Sequence, residues 1–77
     1  METYYTSNNG LSKAIILVYA KDDLFEVIKT LEFISKLLCL ELDYDVNFDE
    51  NEISVLVTDY YEFKTLQRKL NDHCKVA

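Results

Sequence analysis

Apolar and polar residues change their rhythm along this chain, and the changes mark out its elements. Residues 13–20 (KAIILVYA) form an unbroken apolar run in which Ile15, Ile16, Val18 and Tyr19 favour extended backbone. Its length fits a strand covered on both faces, or one held at an oligomer contact. From 23 to 40 the spacing becomes helical. Leu24, Val27, Ile28, Leu31, Ile34 and Leu38 fall on one face, and Asp23 with Glu26 offers an N-cap and a carboxylate three residues on. Phe33, Leu37 and Leu40 lie roughly opposite that face. Such a second apolar stripe implies burial on two sides, or a surface for a partner or a second copy.

Residues 41–48 (ELDYDVNF) alternate strictly, with Leu42, Tyr44, Val46 and Phe48 on one side and Glu41, Asp43, Asp45 and Asn47 on the other. That is a half-buried strand. Asp49-Glu50-Asn51 is a turn, with Asn51 suited to a left-handed backbone. The chain returns as a strand over 52–58, with Ile53, Val55 and Val57 inward and Ser54, Leu56 and Thr58 outward. A second helix is expected over 59–75, capped by Asp59 with Glu62 and seamed by Phe63, Leu66, Leu70 and Cys74. Residues 1–11 are polar apart from two tyrosines and read as a mobile tail. Asn8-Asn9-Gly10 turns the chain into a single domain over 12–77.

The order β-α-β-β-α predicts an α+β fold: a two-layer sandwich with a three-stranded antiparallel sheet, strand order 2-3-1, and both helices on one face. It resembles a ferredoxin-type sandwich lacking its last strand. In that arrangement the first strand has an open apolar edge, which edge-to-edge dimerisation or strand addition would cover. The uncovered sheet face, with Leu56 and alternate residues of the first strand, is a further candidate contact surface.

Composition narrows the function. Among 77 residues there are 8 Lys and Arg against 14 Asp and Glu, for a net charge of −6, which argues against direct nucleic-acid binding. No apolar run is long enough for a membrane span, and the first 20 residues lack the basic start of a signal peptide. A cytoplasmic protein is expected. Cys39 and Cys74 then read as free thiols, with a bridge left open if the two helices lie side by side. No metal or cofactor is expected. There is no CxxC pair, His73 is the only histidine, and with one glycine no Gly-rich phosphate loop can be built. One histidine, no proline and a short chain also leave few means of building a catalytic pocket, so the protein is expected not to be an enzyme.

Charge is concentrated within 41–52, where Glu41, Asp43, Asp45, Asp49, Glu50 and Glu52 occur without a single basic residue. A calcium loop would use Asp43, Asp45, Asn47 and Asp49. However, Phe48 stands where glycine is needed and Ser54 where a closing glutamate is needed. A second reading is protective, because carboxylates on an outer strand resist edge-to-edge aggregation. The third reading is a decoy. Alternate strand residues lie ~6.6–6.8 Å apart on one face, so these carboxylates form a row of negative charge that can enter a basic groove meant for phosphates. Association would be fast and salt-sensitive. Tyr44, Tyr60 and Tyr61 would supply the anchors beside the charge.

In size, acidity and the hairpin bearing those six acids, residues 12–75 resemble small phage-encoded inhibitors of the anti-CRISPR and DNA-mimic type. The resemblance implies blockade of a host nucleic-acid-binding defence complex by occupying its DNA or RNA site. The basic residues Lys64, Arg68, Lys69 and Lys75 of the last helix depart from a uniformly acidic mimic. The alternative is a small oligomeric adaptor, such as a homodimer, binding through the first strand and the Phe33/Leu37/Leu40 stripe.

Overall fold

A computed structural model describes residues 1–76. Its elements are β1 (Glu2–Asn8), β2 (Leu11–Leu17), α1 (Lys21–Leu38), β3 (Tyr44–Asn47), β4 (Glu52–Val57) and α2 (Tyr60–His73). All sheet pairings are antiparallel, in the order β1-β2-β4-β3.

The expected three-stranded sheet is therefore corrected to four strands. The extra strand is β1, built from residues assigned above to a tail. Its cause is a two-residue hairpin loop: Asn8 pairs with Leu11, and Asn9 and Gly10 between them have φ of 54° and 80°. Positive φ at both central positions suits the twist of a hairpin, and Asn-Gly adopts it at little cost. The order of the other three strands is as expected. The place beside β2 that the sequence left open is filled from the N-terminus, so β2 is an interior strand with both edges paired. The proposed docking edge on the first strand does not exist.

One sheet face is covered. Ala14 and Ile16 of β2, Val18 just beyond it, and Ile53, Val55 and Val57 of β4 pack with Leu24, Val27, Leu31 and Ile34 of α1 and Phe63, Leu66 and Leu70 of α2 in a single core. The helical spacing read from the sequence is thus the spacing of burial. Fully burying one such aliphatic side chain contributes about 1.5–3 kcal/mol, so this face holds the molecule together. Tyr5 seals the β1 side of the core, its ring against Tyr60 and Phe63 and its hydroxyl 3.0 Å from Ser12 Oγ. Gln67 Nε2 donates to Thr3 Oγ1 at 2.7 Å and ties α2 to the same strand.

Element ends differ from the sequence reading in instructive ways. Helix α1 begins after Ala20 with no side-chain cap, so Asp23 is not its N-cap. Asp22 and Asp23 sit instead in the first turn, where the helix dipole favours carboxylates. The helix ends at Cys39 in the left-handed region, with the Leu40 N–H reaching back 3.0 Å to the Ser35 carbonyl. Asp59 does cap α2, accepting from the Glu62 N–H at 2.9 Å. Asn51 has φ of 52°, as its place in the turn requires. Both cysteines are free, Cys39 exposed and Cys74 buried. No helix among the described residues is long and apolar enough to cross a membrane.

Candidate functional site

The site follows from the register of the sheet face that the helices leave uncovered. Residues directly paired across strands share a face. One row across this face is Glu2, Leu17, Glu52 and Asn47. The next is Tyr4, Ile15, Ser54 and Asp45, and the third begins Thr6, Lys13 and Leu56. Asp43 extends the third row, since its carbonyl accepts from the Leu56 N–H at 2.8 Å just before β3 begins. Apolar side chains dominate the centre, with Ser54 and Lys13 beside them. Tyr4 is 47% exposed, Leu56 38%, and Ile15 and Leu17 are half-buried.

Carboxylates flank that centre on both sides. Asp43 and Asp45 stand ~6.8 Å apart along one edge, and Glu52, on the next strand opposite Asn47, is diagonal to Asp45. Glu2 closes the opposite edge and accepts from the Tyr4 hydroxyl at 3.1 Å. This contact and the charge on Glu2 raise the Tyr4 phenol above its ordinary value. Lys13 is the one base in these rows. The only ion pair among the described residues is Lys29–Glu26, at 4.0 Å and exposed on α1. None of the acids on the sheet face or its turn is therefore neutralised within the protein.

The other acids of the 41–52 stretch are placed differently. β3 spans only Tyr44–Asn47, so Glu41 and Phe48 lie outside it. Asp49 and Glu50 are exposed in the turn, held by their backbone N–H groups donating to Asn47 Oδ1 at 3.1 and 3.2 Å. Glu41 is exposed on the connection from α1. The six carboxylates thus make a short row plus a turn, with Glu41 apart. Alternation along the strand sends Asp43 and Asp45 to the sheet face, so they do not close a loop with Asp49. No group of three or more metal-binding side chains is present among the described residues.

The three tyrosines singled out in the sequence are not brought together. Tyr44 points to the helix side of β3, where burial and the nearby Glu32 carboxylate push its hydroxyl above the ordinary value. Tyr60 packs on Tyr5 at the opposite edge of the sheet, and Tyr61 is exposed beside it on α2. Phe33, Leu37 and Leu40 are each about half exposed, so α1 is not buried on two sides. Phe33 meets the His73 ring edge-on at 5.1 Å, and Phe48 packs on Phe25 at 6.0 Å.

Glu2 and Tyr4 lie in the segment that the sequence reads as a tail, so they are absent from the expected site. The Asn9-Gly10 pair, preceded by the β-forming Thr3, Tyr4, Tyr5 and Thr6, was the signal that would have found them. The open sheet face bears no resemblance that comparison can name: no family model matches the chain, and no curated protein or solved structure shows significant similarity to it.

Proposed function

We propose that this protein is a non-enzymatic binding module whose open sheet face docks on a basic, nucleic-acid-binding surface of another protein and blocks it. The observation that carries this reading is the register. It lays Tyr4, Ile15, Leu17 and Leu56 between Glu2 on one side and Asp43, Asp45 and Glu52 on the other, with no helix above them. An apolar centre with a charged rim is the usual division of labour at a protein interface. The centre supplies affinity once water is excluded, and the rim supplies attraction and orientation. A basic groove shaped for phosphates meets both requirements, and the six acids of 41–52 all lie on or beside the β3 half of the molecule.

The adaptor reading keeps one supporting observation, the exposed Phe33 and Leu37 on α1 with Leu40 just beyond its end. It loses the other, because the first strand of that reading is paired on both sides.

The experiment is capture of proteins from a nucleic-acid-rich lysate at low and high salt. It compares the native chain, Asp43→Lys/Asp45→Lys and Ile15→Asn/Leu56→Asn, with duplex oligonucleotide as competitor. The reading expects nucleic-acid-binding proteins that are released by high salt, by the competitor and by both variants. Capture that survives the charge reversal and the competitor overturns it and assigns the acids to edge protection. Capture lost only in a Phe33→Ser/Leu37→Ser chain moves the function to α1.

A further inference from the structure

A cleft of about 280 Å³ opens where the end of α1, the chain entering β3 and the first turns of α2 meet. It lies on the helix side of the molecule, away from the open sheet face. Its walls are the aliphatic side chains Leu38, Leu40, Leu42, Val57 and Leu66, and its polar groups are Thr65 and Glu62. The Thr65 hydroxyl is already used, donating to the Tyr61 carbonyl at 3.1 Å. Glu62 is different. Its Oε2 accepts from the Thr58 hydroxyl at 2.5 Å, while Oε1 takes part in no hydrogen bond or ion pair among the described residues. No basic side chain lines the cleft.

We propose that this cleft binds a small organic cation, an ammonium group carried on an aliphatic or aromatic body about the size of one ring. Its volume stands near the lower bound of small-molecule sites, ~300 Å³, which suits a ligand of that size. The five aliphatic walls take the body out of water. Thr58 holds the Glu62 carboxylate in place and leaves one oxygen to accept from the ammonium. The same carboxylate repels an anionic ligand, and a neutral one gains only the apolar contact. Affinity therefore ranks ammonium above alcohol above carboxylate on one skeleton. This site is independent of the sheet-face reading, since it shares no residue with that face.

The test is titration of the isotope-labelled protein with phenethylammonium, phenethyl alcohol and phenylacetate, followed by NMR chemical shifts. Binding in the millimolar range expected of so small a ligand should move the resonances of Leu40, Leu42, Thr65 and Leu66. The ammonium should bind about tenfold more tightly than the alcohol, the difference of one charge-assisted hydrogen bond. Glu62→Gln should bring the ammonium down to the level of the alcohol. Leu40→Ser, at an exposed position, should weaken both together. An alcohol or carboxylate that binds as well as the ammonium overturns the proposal. So does a preference that survives Glu62→Gln, or shifts confined to residues outside the cleft. The chemical-shift dispersion of each unliganded variant shows that it has folded.

Discussion

Single residues in this protein do work that their identity alone does not announce. The decoy reading uses Tyr44 as an apolar anchor beside the acids. The alternation of β3 turns it to the helix side, where burial and Glu32 disfavour its ionised form. A group whose folded-state value is raised gives stability that is present below the unfolded value and lost as pH climbs through the folded one. The unfolded tyrosine ionises near 10.0, so the native state should weaken above that pH. Tyr44→Phe should be close to neutral at pH 7 and should show a shallower loss of stability above pH 10. Urea unfolding at pH 7, 10 and 11 measures this, and parallel losses in the two chains would show that Tyr44 is not responsible. At this scale the caps divide the same way. Asp59 was legible as a cap because its acceptor lies three residues from the donor it serves. The start of α1 departs from the expected Asp23 cap: the helix begins after Ala20, and the neighbouring Asp22 and Asp23, which offer equivalent local chemistry, both fall in its first turn.

At the scale of elements, β1 is where local and long-range forces had to be weighed together. Its strand is polar outward, with only Tyr5 seated firmly among core residues, so hydrophobic alternation alone gave little signal. What holds it is hairpin closure by Asn9-Gly10, the ladder with β2, and the packing of Tyr5 between Tyr60 and Phe63. Tyr5→Ala removes a half-buried aromatic and should cost about 2–3 kcal/mol, below the ~3–5 kcal/mol of a fully buried ring. Urea denaturation gives the value. Because the lost contacts join β1 to α2, proton exchange at β1 amides should accelerate more than exchange at β4 amides. Equal acceleration in the two strands would mean that β1 is not a separable unit. Freeing β1 would also bare the edge of β2, an interior strand with a continuous apolar sequence, so the variant should show a concentration-dependent rise in light scattering.

For the whole molecule, charge and core act separately. The net charge is −6, and the one ion pair among the described residues is exposed, so electrostatics contribute little cohesion and some repulsion. Raising NaCl from ~0.05 to ~0.5 M shortens the screening length from over ~10 Å to under ~5 Å. It should therefore raise the thermal midpoint of the isolated protein while weakening its association with a basic partner. A midpoint that falls with salt would reveal stabilising ion pairs that this structure lacks. The opposite signs expected for folding and binding separate the charge on the sheet face from the apolar core beneath it.

The sequence by itself determined the two helices, the β-α-β-β-α order of the central chain, the inward residues of each element and the acidic character of 41–52. These are properties of spacing and composition, and spacing of apolar residues is what burial enforces. Only the tertiary structure decided which acids share a surface with which apolar residues. Cross-strand neighbours such as Tyr4, Ile15 and Asp45 are distant in sequence, and register sets their proximity. It also brought in Glu2 and Tyr4, because pairing with β2 gives structure to a segment whose own sequence carries too little apolar surface to order itself.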